Sequence, residues 1–196
     1  IYYISNTTLS LEELSEIINN KHQLALSEEA VANINKCRAY LDAKMQADTN
    51  PIYGINTGFG SLCNVKISTE DLTTLQENLM KSHACGTGDE VPHEIVKIML
   101  LLKVKSLSFG NSGVQLETVE RLISFYNNDI LPVVYTQGSL GASGDLSPLA
   151  HLCLPLIGEG EVVMNGVRMS ASEMLKEMNW EMITMKSKEG LALLNG

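Results

Sequence analysis

The chain has 196 residues, 44% of them hydrophobic and 19% charged, enough to bury a sizeable core as one domain or part of one. Lys and Arg number 14 against 23 Asp and Glu, and a formal charge of -9 without any basic patch interleaved with aromatics argues against a nucleic-acid partner. In the stretch Ile95 to Leu107 the longest uninterrupted apolar run is Ile98 to Leu102, far short of the ~20 residues of a membrane span, and no signal peptide is read, so a soluble cytoplasmic protein is expected. Short strands are expected at Tyr2 to Ser5 and Gln23 to Leu26. Ser27 with Glu28 and Glu29 then opens a helix to about Ala47, in which Val31, Ile34, Tyr40, Leu41 and Met45 recur at roughly helical spacing. Further helices are predicted from about Thr69 to His83, from Pro92 to about Ser108, and from Glu117 to Asn127 with Val119, Leu122, Ile123 and Tyr126 on one face. Ser147-Pro148 reads as an N-cap and first residue of an apolar helix through Leu149, Leu152 and Leu154. Asn165-Gly166 between two short apolar runs predicts a β-hairpin over about 161–169, and Ser170 or Ser172 then starts a helix. No internal repeat, low-complexity tract or linker is present.

Within this helical frame, residues 138 to 151 read Gly-Ser-Leu-Gly-Ala-Ser-Gly-Asp-Leu-Ser-Pro-Leu-Ala-His. Ala142-Ser143-Gly144 reads either as a plain loop with glycines spaced for turns or as a backbone segment suited to reacting with itself. Attack of the Gly144 amide nitrogen on the Ala142 carbonyl carbon, followed by loss of two waters from the ring and the Ser143 side chain, gives a 4-methylidene-imidazol-5-one. Gly144 has no Cβ to obstruct that approach. Competing motifs do not fit: position 145 is Asp, so no Gly-x-Ser-x-Gly elbow exists here, and the chain contains no Gly-Lys pair for a P-loop. Between Pro132 and Ile157 the only charged residue is Asp145, as expected of a buried, low-dielectric surrounding or of a plain core helix.

A second uncharged stretch, Asn50 to Val65, contains Tyr53-Gly54-Ile55-Asn56-Thr57-Gly58-Phe59-Gly60, a loop whose glycines permit close backbone approach to a ligand. A third segment, Lys81-Ser82-His83-Ala84-Cys85-Gly86, puts Ser82 and His83 at a helix end. Taken alone, Tyr53 reads first as a packed aromatic, His83 as a partner of the last helical carbonyls, and Asn195 in Leu194-Asn195-Gly196 as a helix cap. The cysteines at 37, 63, 85 and 153 form no Cys-x-x-Cys pair. They read as reduced thiols, and His83, Cys85, His151 and Cys153 do not have a standard zinc spacing, so no metal is expected.

These motifs resemble the aromatic amino acid ammonia-lyase family, and the Ser82-His83 pair its histidine-specific branch. The resemblance covers essentially the whole chain: residues 138–151, the tyrosine loop, Leu116 to Pro132 leading into the cofactor loop, and Lys188-Glu189-Gly190-Leu191-Ala192-Leu193-Leu194-Asn195-Gly196. It implies a mainly α fold, the N-terminal domain of the ammonia-lyase/fumarase-like helical superfamily, with residues 1–196 forming the cofactor-loop domain and the downstream helical bundle lying outside this sequence. It implies that Ala142, Ser143 and Gly144 form the cofactor, that Tyr53 is the catalytic base and that Asn195 supports the cofactor ring or bound amine. Ser82, His83 and Gly60 would contact substrate. Elimination of ammonia from L-histidine would yield urocanate. An ordinary tyrosine near pKa ~10 is a poor base at neutral pH, so the assembled site is expected to favour the phenolate. Family members form homotetramers whose sites combine several subunits and use a downstream arginine that Arg38, Arg121 and Arg168 do not match, so little or no turnover is expected from this portion alone. Alternatives are a tyrosine or phenylalanine ammonia-lyase, an aminomutase with the same cofactor, or a non-catalytic helical interaction domain with an uncyclised loop.

Overall fold

The computed structural model describes residues 1–47, 50–60, 63–68, 71–138 and 144–195. Strand β1 (Tyr2–Ile4) lies parallel to β2 (Leu24–Leu26), with Tyr2 opposite Leu24. Helix α1 (Leu11–Asn19) connects them. Its start is a capping box in which the Ser10 hydroxyl accepts from Glu13 N–H and the Glu13 carboxylate accepts from Ser10 N–H. That Ser-x-x-Glu signal is plain in the sequence, yet the helix was not among the predicted elements.

Helix α2 (Glu28–Ala47) follows, with the Ser27 hydroxyl accepting from Ala30 N–H at 3.2 Å. Its buried face is Ala30, Ile34, Arg38 and Leu41, whereas Tyr40 is 70% exposed, which corrects the predicted apolar face. Apolar spacing alone could not tell Tyr40 from Arg38, whose guanidinium is buried because carbonyls of two other segments receive it. Nη1 donates to Gly113 O (2.7 Å) and Ser187 O (3.0 Å), and Nη2 to Asp42 and the Ser187 hydroxyl.

The core is built on α4 (His93–Ser108) and α5 (Leu116–Asn127). Val96, Leu100, Leu101, Val104 and Leu107 of α4 meet Val119, Leu122, Ile123, Phe125 and Tyr126 of α5, all buried. Each such side chain contributes roughly 1.5–3 kcal/mol on leaving water. At the end of α5 the Asn127 side chain brackets Leu24, accepting from its N–H at 2.8 Å and donating to its carbonyl at 2.9 Å. This ties the N-terminal strand pair to the core.

Three more helices, α3 (Leu72–His83), α6 (Leu146–Cys153) and α8 (Glu189–Leu194), pack on one another beside this core. A 3-10 turn at Leu154–Ile157 leads from α6 into the predicted hairpin, β6 (Glu161–Met164) and β7 (Val167–Ser170). Asn165 and Gly166 both have positive φ (52° and 76°), as a two-residue turn of primed type requires. Ser170 caps α7 (Ala171–Met178) with a second capping box, closed by Glu173. The β content exceeds the expected single hairpin. Strand β4 (Leu131–Pro132) adds to β6, and β3 (Thr87–Glu90) pairs antiparallel with β5 (Tyr135–Gln137). Arg168 joins the two sheets by donating to Glu90, Glu161 and the Tyr135 hydroxyl. No helix among the described residues is long and apolar enough to cross a membrane.

Candidate active site

Every segment singled out in the sequence ends on or near the α3–α6–α8 trio. Gly190 of α8 sits so close to α3 that a Cβ there would lie 2.6 Å from the Gln76 carbonyl oxygen, and its N–H donates to Gln76 Oε1 at 3.0 Å. Gly54 of the tyrosine loop is pressed on the opposite partner: a Cβ at 54 would fall 2.9 Å from Leu191 Cδ2. On α6, His151 Nε2 accepts from Gly86 N–H at 2.9 Å while the ring stands edge-on to Tyr135. Burial lowers the pKa of His151, in keeping with a neutral acceptor imidazole. Thus α8 touches both the helix carrying Ser82-His83 and the loop carrying Tyr53.

The tyrosine loop is held from inside by its own polar residues. Asn56 accepts from Ile52 N–H through Oδ1 (2.6 Å) and donates from Nδ2 to the Asn50 carbonyl (3.0 Å). Thr57, fully buried, accepts from Gly54 N–H and donates to the Gly58 carbonyl. Two residues project from this frame. Tyr53 is 61% exposed, edge-on to Phe59 at 5.9 Å, and its hydroxyl has no hydrogen-bond partner among the described residues. Gly60, at φ +58°, has no atom of the described residues within 4 Å of where a Cβ would be.

At the end of α3, the His83 Nδ1–H donates to the Leu79 carbonyl at 2.8 Å, and the Ser82 hydroxyl donates to the same oxygen at 3.0 Å. With its proton on Nδ1, an uncharged ring would present Nε2 as an acceptor. The helix-end reading of His83 is therefore what the chain displays, and Nε2 has no hydrogen-bond partner among the described residues.

Ala142 and Ser143 lie outside the described residues. Gly144 is described: its φ is +94°, and no heavy atom of the described residues lies within 4 Å of where a Cβ would be. Conformation, rather than crowding among the described residues, is what demands glycine there. Helix α6 starts at Leu146 with Asp145 as N-cap, so the predicted Ser147 cap is corrected. A proline is tolerated throughout the first turn, because the N–H groups there lack helical partners anyway, and so Pro148 did not fix the start. Ser147 is instead a buried residue whose hydroxyl has no partner among the described residues. It packs on the loop's other stem, where a Cβ at Gly138 would lie 2.7 Å from Ser147 Cβ. The described stems of the loop thus abut at Gly138 and Ser147, with Gly144 left-handed beside them.

Asn195 caps α8: its backbone N–H and its Nδ2 both donate to the Leu191 carbonyl, at 3.1 and 2.9 Å. Its own carbonyl receives the ammonium of Lys103, a lysine only 3% exposed. Burial lowers the pKa of Lys103 and raises that of the neighbouring Cys153 thiol to about 12, with each group partly offsetting the other's shift. Sequence reasoning treated Lys103 merely as the border of an apolar run. Its signal was positional, since Val96, Leu100, Lys103 and Leu107 lie on one helical face. Glu189 and Gln76, both fully buried, were missed as well. Among the described residues no group of three or more His, Cys, Asp or Glu is placed to hold a metal, and Cys37, Cys63, Cys85 and Cys153 are free thiols.

Residues 9–196 match the aromatic amino acid lyase family. The chain is 46% identical over 193 residues to a histidine ammonia-lyase of Deinococcus radiodurans, covering 98% of this chain and 37% of that protein. It is 48% identical over 189 residues to one of Shewanella oneidensis, covering 96% and 37%. Among solved structures, the histidine ammonia-lyase of Trypanosoma cruzi aligns with a TM-score of 0.88 at 36% identity over 99% of this chain and 37% of that one. The phenylalanine aminomutase of Pantoea agglomerans aligns with a TM-score of 0.91 at 31% identity over 100% and 38%. The chain spans about 37% of the length of the curated relatives it matches. Matched over all but its first eight residues, it belongs to the aromatic amino acid lyase family.

Proposed function

We propose that this chain is the N-terminal, cofactor-bearing portion of a cytoplasmic, homotetrameric histidine ammonia-lyase, which eliminates ammonia from L-histidine to give urocanate. The observation that carries the reading is the meeting on α8 of the loop bearing Tyr53 and the helix ending in Ser82-His83, next to the stems of the 138–147 loop. Ala142, Ser143 and Gly144 would form the methylidene-imidazolone, which supplies the electrophile that makes the substrate nitrogen a better leaving group. Tyr53 would take the β-proton, and the exposure of its ring leaves it accessible to substrate. His83 would receive the N–H of a substrate imidazole on Nε2, while Ser82 and Gly60 would line its approach. Asn195, at the tip of α8, would support the cofactor ring or the bound amine. The arginine for the substrate carboxylate is not in this chain, so little turnover is expected from it alone.

The first test is the intact mass of the chain beside a Ser143→Ala control. A mass two waters below the encoded value, localised to residues 138–151, is expected. In the full-length protein, Tyr53→Phe should depress elimination greatly without preventing cyclisation, and near-normal turnover would remove Tyr53 from the role of base. Turnover on L-histidine, L-tyrosine and L-phenylalanine separates the lyases. An aminomutase is the second reading, favoured by the fold shared with the Pantoea agglomerans enzyme, and a retained β-amino product would establish it. An uncyclised loop in the full-length protein would favour a non-catalytic helical domain.

A further inference from the structure

Within the Lys188 to Gly196 segment, Glu189 is the more unusual residue: a carboxylate with no solvent exposure. Donors surround both oxygens. Oε1 accepts from Gln115 N–H at 2.9 Å and the Thr118 hydroxyl at 2.8 Å. Oε2 accepts from Gln115 Nε2 and Lys186 N–H, each at 2.8 Å. A buried carboxylate is expensive to keep unless every lone pair is met, and here the donors come from α5, from the residue before it and from the turn that starts α8. The same turn is closed by Glu189 N–H donating to the Lys186 carbonyl, and it requires Lys188 at φ +70°, a strained value for a side-chain-bearing residue. Arg38 grips it from the other side through the Ser187 carbonyl and hydroxyl.

The far end of α8 is held by a buried charge of opposite sign, the Lys103 ammonium on the Asn195 carbonyl. An acid at the first residue and an ammonium at the last carbonyl both complement the helix dipole. Between them, Gly190 seats α8 on Gln76 and Leu191 supports Gly54. A helix of six residues has little stability of its own, so its place is set by these contacts.

We propose that Glu189 and Lys103 are positioning residues that lock α8 in register, so that Asn195 and the loop carrying Tyr53 keep one geometry relative to α3 and α6. The importance of that geometry rests on the lyase reading; the lock itself does not.

Native-state hydrogen exchange on the chain tests it, with Glu189→Gln and Lys103→Met compared against Met174→Ala, a buried residue of α7. Glu189→Gln turns one acceptor into a donor facing donors. It should speed exchange at Ala192, Asn195, Ile55, Asn56 and Gly58 at least tenfold more than at the amides of α4 and α5, and Lys103→Met should do the same, most strongly at Asn195. Met174→Ala should show no excess at those sites. Lys103→Arg, which keeps the charge, should restore much of the protection. Should Glu189→Gln fail to fold, Thr118→Val removes a single donor and should give the same local pattern at smaller amplitude. Acceleration no greater in α8 and the tyrosine loop than in the core would overturn the proposal. The intact mass of the unsubstituted chain is read from the same samples, so loss of the cofactor reading is told apart from loss of the lock.

Discussion

The α4–α5 pair and the layer formed by α8 with the tyrosine loop are both buried, but by different means. The first is largely apolar inside, with Leu100, Val104, Val119, Leu122 and Phe125 filling space between two long helices. The second is short, glycine-bearing and polar inside, held by Glu189, Lys103, Gln76, Asn56 and Thr57. Apolar packing is non-directional and tolerates small shifts, whereas a buried hydrogen bond loses most of its strength within a fraction of an ångström. A chain that needs mass and stability in one place and fixed geometry in another has reason to use both.

Breaking the core should cost most. Phe125→Ala, at a site with no exposure, is expected to lose about 3–5 kcal/mol, read as a shift in the urea midpoint with the slope preserved. Gly190→Ala in the polar layer should lose about 1–3 kcal/mol, because its methyl would press on the Gln76 carbonyl and part α8 from α3. A loss as large as that of Phe125→Ala would erase the distinction between the two regions. Ser170→Ala, which removes a cap outside both, should cost about 1 kcal/mol and leave the exchange pattern of α8 unchanged.

The smallest effect is a pH dependence at the seam between α6 and the segment after α3. The folded-state pKa of His151 is depressed by burial below its ordinary 6.5, so the unfolded chain binds the proton first as the solution is acidified. Stability from this group is full above pH 6.5 and falls as the pH drops from there through the folded value. Protonation also removes the acceptor for Gly86 N–H. Denaturation midpoints from pH 7 to 5 should therefore fall less in His151→Gln than in the parent chain, and equal slopes would discount the histidine.

The helical frame was legible because its period is carried by apolar residues: the face Val119, Leu122, Ile123 and Tyr126 is buried as read. The hairpin was legible from Asn165-Gly166, a dipeptide whose backbone demand is explicit. Strand β3 was not, since Thr87-Gly88-Asp89-Glu90 is exposed along its length and owes its form to pairing with β5. Tyr40 and Arg38 exchanged their expected places for a related reason, because what buries an arginine is a set of carbonyls far away in sequence. The chemistry proposed at 142–144 rests on the residues alone, with Ala142 and Ser143 outside the described structure. What the structure adds is the left-handed Gly144 and the abutting stems at Gly138 and Ser147. The polar layer was the least legible part, since Glu189 and Lys103 look like surface charges until their partners are known.

The bracket that Asn127 places on Leu24 bears on the order of events during synthesis. These two residues are 103 positions apart, so the strand pair at the start of the chain lacks its clasp until α5 has been made. At about 5–20 residues per second, the first strands wait roughly 5–20 s with that edge uncapped. A nascent chain stalled before residue 127 should leave its first 26 residues open to protease, and one stalled far enough beyond it for α5 to have cleared the ribosome should shield them.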